Sequence, residues 1–226
     1  MTERPAPSVR KLLADLHAYR LRTMAPADLQ VNIDQRALLE RTADRSKFVQ
    51  AGDVVEPFSL PEVHGGTVEL DRLLDGGPAV LLFFRYAGCP ACNIALRHYQ
   101  TELSPALADL GATLVAISPQ IPGKLIAIKN RFGFEFPVAS DPRNGLARHF
   151  GITFSSSPAS EAHTRAKGGD LGAELGTGKW ELPMPTVVVV GQDRVVAFAD
   201  VAPDWLLRTE AEPVLDAVRR LVSVPA

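Results

Sequence analysis

The feature that most constrains this chain is the stretch from Ala79 to Asn93, in which an apolar run leads into two cysteines. Five apolar residues, Val80 to Phe84, precede a short turn, and Cys89 and Cys92 follow at C-x-x-C spacing. The residues beyond them alternate apolar and polar with the period of a helix. The stretch therefore predicts a buried strand, a loop and two thiols at the start of a helix.

This predicted position has a chemical consequence for the thiols. A helix N-terminus presents unpaired N–H groups and the positive end of the helix dipole, so it favours a thiolate over a thiol. Pro90 suits the first helical position, where its missing N–H is no loss. Cys89 would then lie near the N-cap, with Cys92 one turn later and within disulfide reach. We interpret the pair as redox-active; the alternative is a pair of inert, buried small residues.

The composition limits the classes of function. The chain has 226 residues, 46% of them hydrophobic and 22% charged, with a net charge of −2. These are values of an ordinary globular protein, and they offer no electrostatic basis for binding nucleic acid. No apolar run approaches the roughly 18 residues that would span a bilayer, so we expect no membrane contact. Residues 1–5 lack the apolar segment of a secretory signal, which predicts a cytoplasmic location.

A metal site is the other use that two closely spaced cysteines suggest. The two residues are too close in sequence to staple a fold, so they form either a redox pair or half of a metal site. Zinc would need two more ligands, and the sequence has no second C-x-x-C and no matching histidine pair. His98, six residues after Cys92, is predicted to face another way. We therefore expect no metal and no organic cofactor.

The chain divides into a helical extension, residues 1–49, and a larger domain, residues 50–226. Apolar residues at spacings of three and four predict one helix near residues 8–23, and a second helix is predicted within residues 27–45. This region carries no pair of reactive groups. Its apolar stripe is typical of a packing or oligomerisation arm, and a homodimer is one possibility.

The larger domain predicts an α/β fold. Buried strands near residues 79–84, 113–118 and 186–190 alternate with amphipathic helices, which is typical of a mostly parallel sheet. A hairpin at residues 191–199 would add antiparallel strands, and a last helix covers residues 210–222. Residues 153–181 are rich in Ser, Gly and Ala and predict an irregular insertion with little helix.

A second motif, Leu182-Pro183-Met184-Pro185-Thr186, comes immediately before the third buried strand. Proline at the mouth of a central strand is expected only at the strand start or in a cis turn. One interpretation is a loop with a cis-Pro185 beside the cysteines, where exposed backbone, including that of Met184, pairs with a thiol or disulfide substrate. The other is a rigid loop end.

Three further side chains have both a functional and a structural interpretation. Arg85, four residues before Cys89, could hold the thiolate or a substrate carboxylate, or could be a solvated loop charge. Tyr86 could flank the site or cover the core edge. Trp180 could line a substrate groove or be a core aromatic.

Five motifs in order resemble the thioredoxin-fold superfamily and, within it, the peroxiredoxin-like AhpC/TSA proteins. They cover about residues 50–222 and are AGDVVEPFSLP, LLFFRYAGCPACN, LVAISPQ, FPVASDPRNGLARHFG and WELPMPTVVVV. The resemblance implies a thioredoxin-like fold, with a central mixed sheet flanked by helices. It also implies thiol-based redox chemistry and a cis peptide bond at Pro185.

The sequence departs from the family in one motif. Typical peroxiredoxins carry P-x-x-x-T-x-x-C after the first strand, a frame that puts Arg85 at the Pro, Cys89 at the Thr and Cys92 at the peroxidatic cysteine. The thioredoxin frame instead makes Cys89 the nucleophile and Cys92 the resolving thiol. The family's Pro and Thr shape the peroxide pocket, and both are absent here. Because the two frames disagree, the attacking sulfur stays open: Cys89 is favoured for disulfide chemistry, and Cys92 is the candidate for peroxide.

The resemblance and the thiols together predict an antioxidant thiol oxidoreductase that reduces peroxides or disulfides. A redox-active disulfide between Cys89 and Cys92 would form and be reduced by an external thioredoxin- or glutathione-like thiol. Three alternatives are a disulfide reductase or isomerase without peroxidase activity, an enzyme of specialised metabolism, and a non-catalytic binding module. The last would present residues 153–181 to a partner and use the cysteines as a redox switch.

Overall fold

The computed structural model describes residues 7–223, so the segment behind the localisation prediction, residues 1–5, lies outside the described residues. No helix within the described range is both long and apolar enough to cross a bilayer.

The helices are α1 (Val9–Thr23), α2 (Pro26–Thr42), α3 (Leu70–Asp75), α4 (Pro90–Glu102), α5 (Ser104–Asp109), α6 (Pro122–Phe132), α7 (Gly145–His149), α8 (Pro158–Ala166), α9 (Leu171–Leu175) and α10 (Ala211–Val222). The strands are β1 (Ser59–Pro61), β2 (Thr67–Glu69), β3 (Ala79–Phe83), β4 (Thr113–Ser118), β5 (Val138–Ser140), β6 (Thr153–Ser155), β7 (Glu181–Pro183), β8 (Thr186–Val190) and β9 (Val196–Val201).

The central sheet has five strands in the order β5-β4-β3-β8-β9. Strand β3 pairs in parallel with β4 and antiparallel with β8, which confirms the predicted mixed sheet. Every residue of β3 is buried. Val80 and Leu82 face the core that contains the cysteines, whereas Leu81 and Phe83 face a second core on the opposite side. A strand buried on both faces explains the unbroken apolar run that the sequence shows.

The N-terminal extension packs against its own chain. Val9 and Leu13 of α1 are fully buried in the same core as the cysteines, and α1 contacts α4. The Glu210 carboxylate accepts hydrogen bonds from the backbone N–H groups of Val9 and Arg10 at 3.2 and 3.1 Å. The apolar stripe of α1 is thus used within the chain, as the packing interpretation expects. The boundary at residue 50 and a homodimer remain predictions.

Because of this packing, we expect the extension to contribute to the free energy of unfolding of the whole domain. We expect Leu13→Ala to lower the free energy of unfolding by about 2–5 kcal/mol, because it opens a cavity in the core. The control is Leu21→Ala in the same helix, whose side chain is 58% exposed and whose loss should change stability by less than about 0.5 kcal/mol. Urea denaturation measures both variants. Equal stability of the two would show that α1 does not pack as described.

The prediction of an irregular insertion at residues 153–181 is wrong. The segment forms β6, α8, α9 and β7, and β6 pairs with β7. The helix starts are capped locally: the Ser157 hydroxyl accepts from the N–H of Ser160 at the start of α8, and Asp170 does the same for α9. Helix α8 also packs on α2, where Asp28 pairs with Lys167 and with His163 at 3.4 Å. The high Ser and Gly content of this segment gave no sign of helices. Helix α8 forms where it packs against the extension.

Candidate functional site

Cys89 lies where the loop after β3 turns into α4. It is the N-cap residue of α4, with φ −80° and ψ 112°, and its sulfur accepts a hydrogen bond from the N–H of Cys92 at 3.3 Å. Pro90 occupies the first helical position. The backbone therefore presents an otherwise unpaired amide to the sulfur, which is the arrangement that favours a thiolate.

The Arg85 guanidinium is the second contact of this sulfur. Its Nη2 atom donates to Cys89 Sγ at 3.0 Å. The guanidinium carbon lies 4.3 Å from the ring centre of Trp205 and 5.8 Å from that of Tyr86. Stacking on these aromatic faces holds the cation in place. Of the three interpretations of Arg85, the structure therefore agrees with the one in which its guanidinium contacts the Cys89 sulfur.

Arg208, which the sequence analysis missed, is a second cation beside the cysteines. It is only 5% exposed, and its Nη2 atom lies 3.8 Å from Cys92 Sγ. Its Nη1 atom donates to the backbone carbonyls of Trp205 and Leu207. It lies 116 residues from Cys92 in sequence, in a loop with no motif, so no local signal marks it.

The surroundings separate the two thiols by acidity. Burial alone would raise the pKa of Cys89, but the hydrogen bond from Cys92 and the charges of Arg85 and Arg208 outweigh it and hold this pKa well below the usual value. Burial and the neighbouring Cys89 sulfur raise the pKa of Cys92 well above its usual value. Both cysteines are free and buried. The surroundings thus favour a thiolate on Cys89 and a neutral thiol on Cys92.

The prediction of a cis bond at Pro185 is wrong: residues 7–223 contain no cis peptide bond. The backbone here already has partners that suit the trans form, which is intrinsically favoured before proline. The Met184 N–H donates to the Ile152 carbonyl at 2.7 Å, and the Pro185 carbonyl accepts from Ala202 at 2.9 Å. Met184 is buried. These backbone groups support the sheet and leave no free edge of the kind that the substrate interpretation requires.

A pocket of about 170 Å³ lies next to Arg85. It brings together four of the predicted site residues, although neither cysteine, Met184 nor Pro185 lines it. The predicted residues in its wall are Arg85, Tyr86, Pro90 and Trp180. Residues that the sequence analysis missed complete it, among them Arg20, Gln35, Phe154 and Trp205. Because the pocket walls come from both the extension and the insertion, only the folded chain assembles them.

Metal-binding groups do not gather in the described part of the chain. No cluster of three or more His, Cys, Asp or Glu side chains suited to a metal occurs between residues 7 and 223. His98, which follows Cys92 by six residues, is buried on α4.

Fold and site together define a thiol-based oxidoreductase with a thioredoxin-like fold. The sequence model of the AhpC/TSA family matches residues 51–199. The chain belongs to the AhpC/TSA family, and it is a peroxiredoxin-like member.

Individual relatives agree with this assignment. A candidate peroxiredoxin of Mycobacterium tuberculosis strain H37Rv is 32% identical over 104 residues, which cover 46% of this chain and 67% of that protein. Peroxiredoxin Bcp of Escherichia coli strain K12 is 29% identical over 107 residues, which cover 46% of this chain and 65% of Bcp. The crystal structure of peroxidoxin BcpB from M. tuberculosis aligns with a TM-score of 0.59 and 26% identity, over 76% of this chain and 98% of that chain.

Proposed function

We propose that this protein is a thiol peroxidase in which Cys89 attacks the peroxide and Cys92 resolves the product. The observation that carries the proposal is the contact of 3.0 Å between Arg85 Nη2 and Cys89 Sγ at the N-cap of α4. The thiolate is the reactive form of cysteine, and this contact stabilises it on Cys89. The names of the relatives, which are peroxiredoxins, support a peroxide as the substrate.

The choice of Cys89 over Cys92 rests on the same contact. Arg85 stands at the Pro and Cys89 at the Thr of the family's usual motif, so the two departures from that motif touch each other. Cys92, at the usual peroxidatic position, has a raised pKa and only the longer contact of 3.8 Å with Arg208. We infer that the nucleophile lies one helical turn before the family's usual position, at the N-cap of α4, where Arg85 activates it.

The reaction then proceeds in three steps. The Cys89 thiolate attacks the terminal oxygen of ROOH, the O–O bond breaks, and the leaving alkoxide takes a proton from water to become ROH. Cys89 is now a sulfenic acid. The Cys92 thiol attacks the Cys89 sulfur, which forms the disulfide and releases water. An external thiol, of the thioredoxin or glutathione kind, reduces that disulfide by exchange, and a cytoplasmic location would supply it.

The test is the fate of the two thiols in the wild-type protein. We expect one equivalent of cumene hydroperoxide to convert the reduced chain to a species lighter by two hydrogen atoms. Peptide mapping should then show a Cys89–Cys92 disulfide, and dithiothreitol should restore both thiols. Intact-protein mass spectrometry measures each state. A thiol content that hydroperoxide leaves unchanged would contradict the proposal, and so would oxidation that yields only sulfinic acid.

Disulfide exchange without peroxidase activity is the second candidate. It is favoured by the position of Cys89 at the N-cap with a free thiol one turn later, because such a thiolate also attacks disulfides. Insulin reduction driven by dithiothreitol separates the two candidates. Fast insulin reduction with no peroxide consumption would favour exchange, whereas failure of both reactions would favour a redox-switched binding module.

A further inference from the structure

The pocket beside Arg85 has features that the cysteine chemistry does not use. We call it the Arg20 pocket, after the α1 residue that lines it together with Arg85. Its other walls come from α2, α8 and the residues around Trp180 and Trp205. Its volume of about 170 Å³ is close to that of a cavity of about 150 Å³ that holds one benzene ring. This volume suits a small organic molecule rather than a peptide or a lipid chain.

Two arginines, Arg20 and Arg85, line the Arg20 pocket, and among residues 7–223 no Asp or Glu lines it. The groups whose charges act on Arg20 include Arg36, Arg85, Tyr86 and the Cys89 sulfur. Arg36 already pairs with Asp204 at 2.8 Å, and Arg85 shares the single thiolate. Arg20 is half-buried and has no anionic partner of its own in this part of the chain. A cation so placed favours an anionic ligand.

Gln35 adds a buried donor to the same wall. It is 4% exposed, and its Oε1 atom accepts a hydrogen bond from the backbone N–H of Ser157 at 2.7 Å. That bond fixes the orientation of the amide, and its Nε2 group has no hydrogen-bond partner among residues 7–223. A buried N–H group without a partner is costly, and a ligand oxygen would satisfy it.

Aromatic rings form much of the remaining wall. Trp180, Trp205, Tyr86 and Phe154 all line the pocket, and the rings of Phe154 and Trp205 stack with centroids 6.3 Å apart. Flat apolar faces of this kind bind hydrocarbon or aryl groups. The pocket thus combines an apolar wall with a cation and a free amide donor.

We propose that the Arg20 pocket binds small organic hydroperoxides that carry a carboxylate. Arg20 and the Gln35 Nε2 group receive the carboxylate, and the aromatic rings receive the hydrocarbon part. Arg85, which lines the pocket and also contacts Cys89, connects this subsite with the reacting sulfur. The substrate preference rests on the proposed peroxidase function, whereas carboxylate binding does not.

The test compares cumene hydroperoxide with its para-carboxylated analogue. We expect the wild-type protein to favour the carboxylated substrate in kcat/KM by about tenfold, as for a charge-assisted hydrogen bond. Arg20→Gln should remove most of this preference. Arg22→Gln is the control, because this residue is exposed in the last turn of the same helix and does not line the pocket; it should keep the preference.

Binding of 4-isopropylbenzoate to the reduced protein, measured by calorimetry, tests the subsite without turnover. Arg20→Gln should weaken this binding by about tenfold. Arg20-dependent binding in a protein without peroxidase activity would support the subsite and overturn the proposed function. Equal kcat/KM for both hydroperoxides, or binding that Arg20→Gln and Arg22→Gln weaken equally, would overturn the subsite.

Discussion

Cys89→Ser is expected to reduce the rate of peroxide turnover by at least about 10³-fold. The substitution removes the nucleophile, because a serine hydroxyl is not ionised at neutral pH. The remaining Cys92 cannot replace it: its pKa is raised by burial and by the neighbouring sulfur, and removing that sulfur leaves the burial in place. Stopped-flow consumption of hydrogen peroxide with a dithiol reductant measures the loss.

Cys92→Ser is the matched variant, and it should behave differently. Its Cys89 keeps the contact with Arg85, so we expect one rapid turnover that ends in a sulfenic acid, followed by a stop. Dimedone labelling of Cys89, detected by mass spectrometry, reports that acid. The opposite pattern, with a single turnover in Cys89→Ser and none in Cys92→Ser, would assign the attack to Cys92 and restore the family's usual frame.

Arg85→Met is expected to slow peroxide reduction at pH 7 by about tenfold to a hundredfold, the size of one charge-assisted hydrogen bond. The variant removes the donor at 3.0 Å from Cys89 Sγ while it keeps an apolar side chain against Trp205. Loss of the cation raises the pKa of Cys89, so less thiolate is present at neutral pH. Arg208 and the α4 N-terminus remain, which keeps some activity.

The loss of Arg85 should also change how the rate of peroxide reduction depends on pH. In the wild-type protein the lowered pKa of Cys89 keeps the thiolate populated at neutral pH. Its rate should therefore be flat there and fall only as acid protonates the sulfur. In Arg85→Met the rate should still rise with pH through the neutral range, towards the ordinary thiol pKa of about 8.5. Alkylation by iodoacetamide as a function of pH, in the Cys92→Ser background, follows Cys89 directly.

Arg85→Lys is the control for charge alone. A lysine keeps the positive charge but cannot reproduce the planar stacking on Trp205, so we expect a rate between those of the wild type and Arg85→Met. An alkylation profile of Arg85→Met identical to that of the wild type would contradict a role for Arg85 in stabilising the thiolate.

The local part of this site could be predicted from the sequence. The apolar run, the C-x-x-C spacing and Pro90 identified a buried strand and a helix start, because strand burial and N-capping depend on residues close in sequence. The structure has β3 and α4 at these places, with Cys89 as the N-cap. The break between α4 and α5 at Ser104-Pro105 also follows from local backbone geometry.

The parts that depend on distant contacts could not be predicted in this way. Arg208 lies more than a hundred residues from Cys92 in sequence, and a surface arginine and a buried one look alike in a sequence. Helix α8 has no large apolar side chain, and polar contacts hold it on α2. The backbone of Met184 and Pro185 pairs with Ile152 and Ala202, which lie outside the motif.

The sequence by itself therefore determined the fold class and the place of the two cysteines at the start of a helix. Only the tertiary structure decided which of the two thiols is favoured as the thiolate. That decision depends on Arg85, which Trp205 holds in place, and on Arg208, because the stability of a buried thiolate is set by the cations that surround it in space. The N-terminal helices likewise acquire their place beside the site only when α1 and α2 pack against the rest of the chain.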